Sequence, residues 1–160
     1  ILYNVPGRTS SNVSAATTLE LAKLPNIVAM KEASGDLDQI MEILKNKPHD
    51  FTVLSGDDAI TMPLISMGVE GVISVIANAL PERFSSMVNH TLNNELNSAK
   101  KEHFELFDMI RLLFTEGNPG GVKEALVFRG ICNNHMRLPL IPVSNGLKEK
   151  ICSEMKALML

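Results

Sequence analysis

Short apolar runs alternate with longer segments of helical periodicity over the first 97 residues. Four of these runs are too short for helices and predict buried strands of a parallel sheet. They cover residues 1–4, 27–30, 51–54 and 71–75. The helix after the second run has a clear start, because Asp36 can cap it and Gln39 stands at the capping-box position. Pro63 leaves two alternatives for the helix after the third run, which either begins near residue 62 or is kinked.

From residue 98 onward the pattern contains helices alone. The predicted helices include residues 12–24, 99–115, 122–133 and 145–160, and others that begin at Asp36 and Pro81. We therefore expect an α/β fold in two parts, with four β/α units in residues 1–97 and a helical extension in residues 98–160. Two architectures fit the alternation: a small doubly wound sheet or half of a (β/α)8 barrel, which when complete needs about 250 residues.

The composition is that of an ordinary globular domain, with 45% apolar and 21% charged residues. The net charge is −3 and the basic residues are scattered, so no basic face is offered to nucleic acid or anionic lipid. Residues 62–80 carry the single charge of Glu70, but Pro63 and two glycines interrupt them and argue against a membrane span. Cys132 and Cys152 predict free thiols in a reducing compartment, and a cytoplasmic location is the default expectation.

Candidate chemistry lies where the predicted strands end, the edge at which parallel α/β folds gather functional groups. Lys31 directly continues the second apolar run, so partial desolvation should favour the neutral amine that attacks a carbonyl. Tyr3, the only tyrosine, could relay protons, and Arg8 could hold a carboxylate. Each also has an ordinary alternative: a snorkelling lysine, a ring packed at a strand rim and a surface arginine.

A metal site is not predicted. Asp57 and Asp58 have no histidine or third carboxylate at a recognisable spacing, so helix capping is their expected role. The four histidines are widely spaced and form no ligand pair, and the chain has no glycine-rich phosphate loop.

Four motifs at the predicted strand ends occur in a specific order. They are Tyr-Asn-Val-Pro-Gly-Arg-Thr at 3–9, Val-Ala-Met-Lys-Glu-Ala-Ser-Gly-Asp at 28–36, Leu-Ser-Gly-Asp-Asp at 54–58 and Gly-Val-Ile-Ser-Val at 71–75. In order and spacing the whole chain resembles the dihydrodipicolinate synthase family. The resemblance implies strands five to eight and the C-terminal helices of a (β/α)8 barrel. It also implies condensation of pyruvate with aspartate semialdehyde in lysine and diaminopimelate biosynthesis, without an organic cofactor.

The resemblance implies roles for five residues. Lys31 would form the imine with pyruvate, and Tyr3 would belong to the proton relay. Arg8 would receive the carboxylate of the semialdehyde, and the backbone at Gly56 and Ile73 would line the pyruvate pocket. Sister aldolases such as N-acetylneuraminate lyase usually lack an arginine like Arg8. Such a sister activity and a non-catalytic α/β fragment remain the alternatives.

Further expectations concern what this chain leaves out. It begins at Ile1 inside an apolar run, which favours a truncated chain. The first half of the family fold supplies a threonine pair, a tyrosine from a neighbouring subunit and a lysine-feedback pocket. The family is commonly tetrameric, so a homo-oligomer is implied, and the isolated chain is expected to dimerise, aggregate or be partly molten with little turnover. Gly120 and Gly121, where many relatives carry another proline, leave open where the following helix begins.

Overall fold

A computed structural model describes residues 1–159. Over these residues the fold is α/β, with one parallel three-stranded sheet and eight α-helices. The elements are β1 (Leu2–Asn4), α1 (Pro6–Thr9), α2 (Ala15–Leu21), β2 (Ala29–Glu32), α3 (Leu37–Asn46), β3 (Thr52–Ser55), α4 (Thr61–Ser66), α5 (Pro81–Leu92), α6 (Leu96–Phe114), α7 (Gly120–Phe128) and α8 (Asn145–Met159). Single 3-10 turns lie at Asp58–Ile60 and Ile76–Asn78.

The chain divides into two compact units. The first consists of residues 1–74 with 91–94, and the second of residues 75–90 with 95–160. The first unit contains the whole sheet and α1 to α4, whereas α6, α7 and α8 belong to the second. The boundary predicted between residues 97 and 98, where the β/α units give way to the helical extension, stays a prediction.

The register of the sheet sorts its side chains onto two faces. Three rows of Cα partners cross the strands: Leu2–Met30–Val53, Tyr3–Lys31–Leu54 and Asn4–Glu32–Ser55. Because side chains alternate between the faces of a strand, the middle row projects from one face and the other two rows from the opposite face. We call these the open face and the covered face.

The covered face supplies the core of the first unit. Met30 and Val53 are fully buried there and pack in one cluster with Ile40 and Ile43 of α3 and with Phe51. On the open face, by contrast, Tyr3 is 51% exposed, and Lys31 and Leu54 are only partly buried. Burial of apolar surface therefore fixes the sheet from one side and leaves the other side available for chemistry.

The second strand differs from its prediction. We expected it over residues 27–30 with Lys31 just beyond it, whereas β2 spans Ala29–Glu32 and Lys31 lies inside it. Pairing with both neighbouring strands continues as far as Glu32, because hydrogen bonds satisfy the carboxylate of this buried residue. A polar residue thus extends a buried strand that the apolar pattern alone would have ended.

The prediction of a fourth strand over residues 71–75 is wrong. Within the described residues this segment forms only an isolated parallel bridge between Val72 and Ser55. The Ser55 amide donates to the Gly71 carbonyl and the Ile73 amide to the Ser55 carbonyl. The backbone leaves the extended conformation at Val75, whose φ of −90° and ψ of −51° lead into a 3-10 turn. Pairing with a single neighbour therefore stops after one bridge.

Helix boundaries follow their caps. The cap predicted at Asp36 is confirmed, since its side chain accepts from the Gln39 amide at 3.0 Å. Pro63 lies in the first turn of α4, which confirms the first of its two alternatives. The helix predicted over 12–24 is shorter, because Ser14 caps α2 and the Val13 amide donates to Asn4 instead.

The second unit contains a cluster of packed helices. Helices α6, α7 and α8 contact one another and bury Leu106, Leu113, Ala125, Ile151 and Met155. Helix α7 begins at Gly120 and ends at Phe128, five residues before its predicted end. Its end follows from Gly130, whose φ of +71° is the left-handed conformation that terminates helices.

No helix within residues 1–159 is both long enough and apolar enough to cross a membrane.

A close approach between α6 and α7 predicts a strong effect of Gly121→Ala. A Cβ at this position would lie 2.4 Å from the Leu113 carbonyl oxygen, a contact with backbone that no rotamer change relieves. We expect the free energy of unfolding, measured with urea, to fall by about 2–3 kcal/mol. The matched control is Gly146→Ala at the second residue of α8, where a Cβ meets nothing within 4 Å. It should be neutral or stabilise the chain by up to about 0.5 kcal/mol, and equal effects of the two variants would contradict this packing.

The ion pair between Lys47 and Glu70 predicts a pH-dependent contribution to stability. Burial alone would raise the pKa of Glu70, but hydrogen bonds from Lys47 and Thr52 and the charge of Lys47 outweigh it and lower the pKa below 4.5. A carboxylate with a lowered pKa stabilises the fold above its unfolded pKa, and this contribution disappears as the pH falls through the folded pKa.

Glu70→Gln should therefore lower the free energy of unfolding by about 0.5 kcal/mol at pH 7, because the pair is partly exposed. The difference from the wild type should vanish in acid, which urea titrations at a series of pH values measure. Glu42→Gln is the control, since Glu42 is exposed and forms no ion pair in the described part of the chain. A Glu70→Gln effect that is the same at every pH would refute the assignment.

Candidate active site

Lys31 and Tyr3 meet on the open face of the sheet. They are Cα partners in adjacent parallel strands, and the Lys31 Nζ lies 4.4 Å from the centroid of the Tyr3 ring. A cation at this distance from an aromatic ring is attracted to the π-electrons. A phenol beside an amine can also exchange protons with whatever the amine binds. The structure therefore brings two of the predicted site residues together.

Gly56 lies directly against the side chain of Lys31. A Cβ at Gly56 would stand 2.9 Å from Cε and 3.2 Å from Cγ of Lys31, and 2.7 Å from Cβ of Ala33. The Gly56 amide donates to the Glu32 carbonyl at 2.8 Å, which holds this backbone at the end of β2. The Lys31 side chain thus packs against backbone that carries no side chain. Gly56 is therefore a third predicted site residue that lies beside Lys31.

A buried polar network occupies the covered face directly behind this pair. The Glu32 side chain belongs to a residue that is 1% exposed, and it accepts from Asn4 Nδ2 at 3.1 and 3.0 Å. It also accepts from the Ser34 amide at 2.6 Å and from Gln39 Nε2 at 3.1 Å. We did not predict a role for Asn4 or Glu32. The sequence feature that could have identified them is their position, since each directly follows a predicted site residue in a strand.

Arg8 and Ile73 are placed by the backbone near strand ends. Arg8 lies in the last turn of α1, the short helix that follows β1, and is exposed. The Ile73 amide donates to the Ser55 carbonyl at 2.9 Å, and its side chain is 43% exposed. The substrate contacts expected of these two residues stay predictions.

The capping role expected of Asp57 is confirmed, because its side chain accepts from the Ala59 amide at 3.0 Å. Asp58 opens the following 3-10 turn and is buried. Among residues 1–159 no group of three or more histidine, cysteine or acidic side chains is arranged to hold a metal ion.

A sequence model of the Dihydrodipicolinate synthetase family matches residues 1–158. The chain belongs to this family. Among related proteins, the 4-hydroxy-tetrahydrodipicolinate synthase of Koribacter versatilis (strain Ellin345) is 48% identical over 157 residues, which are 96% of this chain and 52% of the relative. The family predicted from the order and spacing of the motifs is therefore confirmed.

Solved structures show the same fold. The crystal structure of dihydrodipicolinate synthase from Aquifex aeolicus superposes with a TM-score of 0.95 at 38% identity, over 99% of this chain and 54% of that one. The chloride-inhibited dihydrodipicolinate synthase from Acinetobacter baumannii, complexed with pyruvate, gives a TM-score of 0.92 at 35% identity, over 97% and 53% of the two chains. The chain thus spans about half the length of the relatives it matches.

The contact of Gly56 with Lys31 predicts a coupled pair of substitutions. Gly56→Ala should lower the free energy of unfolding by about 1–3 kcal/mol through overpacking, as urea unfolding would measure. Lys31→Ala in the same chain should recover part of that loss, because two of the three close contacts are with Lys31. The control is Gly71→Ala, beside the isolated bridge at Val72, where a Cβ meets only Leu54 at 3.4 Å. Strictly additive effects of the Gly56 and Lys31 substitutions would contradict the contact.

Proposed function

We propose that the chain carries the Schiff-base lysine of a lyase that condenses pyruvate with L-aspartate 4-semialdehyde to give 4-hydroxy-tetrahydrodipicolinate. The observation that carries the proposal is the placement of the Lys31 side chain, whose Nζ lies 4.4 Å from the centroid of the Tyr3 ring and whose Cγ and Cε lie against the backbone of Gly56. Family membership supports it, as does the solved relative that is complexed with pyruvate. This reaction belongs to lysine and diaminopimelate biosynthesis.

We further propose that the chain is the C-terminal half of a (β/α)8 barrel followed by a helical extension. Support comes from its coverage of about half of each relative together with parallel strands joined through helices. In such barrels the catalytic groups lie at the C-terminal ends of the strands. Tyr3 and Lys31 lie near the ends of β1 and β2, and Gly56 directly follows β3.

The chemistry follows from the properties of an amine beside a phenol. The neutral Lys31 amine attacks the carbonyl carbon of pyruvate, and the resulting carbinolamine loses water to give the protonated imine. Tyr3 supplies and removes protons during these two steps. The imine nitrogen then accepts electrons as a methyl proton of the bound pyruvate leaves, which yields an enamine. The enamine carbon forms the new bond to the aldehyde carbon of the second substrate, whose oxygen takes up a proton. The amino group of that substrate then displaces the Lys31 amine from the imine by transimination, which closes the ring and releases the product.

The remaining substrate contacts are assigned to three positions. The guanidinium of Arg8 binds the carboxylate of aspartate semialdehyde, because a planar cation pairs well with that group. The backbone at Gly56 and Ile73 lines the pyruvate pocket. The covalent imine takes the place of an organic cofactor and no metal is required. The working protein is a homo-oligomer in the cytoplasm.

Trapping of the imine tests the proposal directly. The chain is incubated with pyruvate and borohydride, and its intact mass and peptide map are then measured. We expect one reduced pyruvate adduct, located on Lys31. Lys31→Arg should abolish the adduct, because a guanidinium does not form an imine under these conditions. Lys23→Arg is the control, since Lys23 is exposed and pairs with Glu20, and it should leave the adduct unchanged.

Other outcomes separate the alternatives. An adduct on another lysine would show that the site is misassigned. The absence of any adduct in a chain that unfolds cooperatively would favour a non-catalytic fragment. If an adduct forms, competition between aldehydes distinguishes the lyase from a sister aldolase. Aspartate semialdehyde should consume the enamine faster than N-acetylmannosamine does.

A further inference from the structure

Glu32 is a buried carboxylate without a cationic partner. Its residue is 1% exposed, and no lysine, arginine or histidine forms an ion pair with it in the described part of the chain. Its donors are the neutral side chains of Asn4 and Gln39 and the Ser34 amide. Burial of an unpaired carboxylate is costly unless hydrogen bonds replace its hydration. These hydrogen bonds give Glu32 a structural role that differs from apolar core packing.

The position of Glu32 connects this role to the candidate site. Glu32 and Asn4 are Cα partners in adjacent strands, and each directly follows a residue of the Lys31–Tyr3 pair. Asn4 Nδ2 donates to both oxygens of the Glu32 carboxylate, so these side chains tie β1 to β2 on the covered face. This contact between the Asn4 and Glu32 side chains, which we call the tie, is one residue away from the reactive amine and phenol on the open face.

The tie is anchored on both sides. Asn4 Oδ1 accepts from the Val13 amide at 3.0 Å, which fixes the asparagine against the segment before α2. Gln39 in α3 donates to Glu32 at 3.1 Å, and Asn12 donates to Gln39 at 2.8 Å. Glu32 therefore connects two strands to the helices behind them, and its carboxylate cannot shift without breaking several hydrogen bonds.

We propose that Glu32 is a positioning residue, whose carboxylate, held by Asn4, Ser34 and Gln39, fixes the β1–β2 register that places the Tyr3 ring against the Lys31 amine. The inference rests on the proposed function of Lys31. It extends that function to a residue that touches neither substrate nor reacting atoms. A misplacement of about 1 Å between reacting groups can cost on the order of 100-fold in rate.

The decisive variant is Glu32→Gln, which keeps the size of the side chain and removes half of its accepting capacity. A carboxylate only accepts hydrogen bonds, whereas the amide nitrogen of glutamine would face a donor. Borohydride trapping is measured as a function of pyruvate concentration. We expect the maximal trapping rate to fall by about 10- to 100-fold. The half-saturating pyruvate concentration should stay within about twofold, because the pocket backbone at Gly56 and Ile73 is unchanged.

Two further variants separate positioning from general damage. Glu42→Gln on the exposed side of α3 makes the same change of charge and should trap pyruvate at the wild-type rate. In Asn4→Asp with Glu32→Gln, the donor and the acceptor between these two side chains exchange places, but the bond from Asn4 Nδ2 to Asn12 Oδ1 at 2.8 Å is lost. This double variant should recover part of the lost rate. A Glu32→Gln rate equal to that of the wild type would overturn the proposal.

Hydrogen exchange distinguishes failure of this inference from failure of the proposed function. The Ala33 amide donates to the Asn4 carbonyl at 2.9 Å and reports the β1–β2 pairing. Glu32→Gln should accelerate its exchange, and Glu42→Gln should not. If the wild type forms no adduct on Lys31, the proposed function fails. Unchanged Ala33 exchange in Glu32→Gln would show instead that the tie does not hold the register. Should Glu32→Gln not fold, Asn4→Ser, which removes the amide group that donates to Glu32 and keeps the carboxylate, is expected to give the same results.

Discussion

The parallel register of β1, β2 and β3 is the constraint on which the site depends. It sets Tyr3 opposite Lys31 and brings the end of β3 to the lysine side chain. The strands are only three or four residues long, so each hydrogen bond between them is a large part of the pairing. The core residues Met30 and Val53 hold these short strands from one side through apolar burial.

The two faces of the sheet meet opposite structural requirements: exposure on the open face and rigidity on the covered face. The proposed role of Lys31 as a Schiff-base lysine requires access for a substrate, and the open face is partly exposed. The rigidity that such a pair requires must then come from the covered face. There the network around Glu32 adds direction to apolar packing, because hydrogen bonds specify angles and distances whereas apolar contacts do not. Polar and apolar burial are thus complementary in this small sheet.

Much of this arrangement could be predicted from the sequence. Apolar runs located the three paired strands to within about two residues, and the rule that functional groups gather at strand ends placed Lys31 with Tyr3. The end of β2 was missed because a buried glutamate looks like a loop residue until its hydrogen-bond donors are known. The segment at 71–75 was missed because apolar periodicity reports burial and not the number of neighbouring strands. The partners of Glu32 come from residues 4, 34 and 39, a combination that spacing along the chain does not reveal.

The absence of a side chain at Gly56 limits which changes the gene can tolerate at this codon. Every other amino acid carries a Cβ, so every change of residue at this position places an atom against Lys31 and Ala33. A glycine codon tolerates any base in its third position, however, so the DNA at this site can drift freely while the protein does not. Related genes should therefore differ at this codon mainly by silent changes of its third base and seldom by changes that replace the glycine.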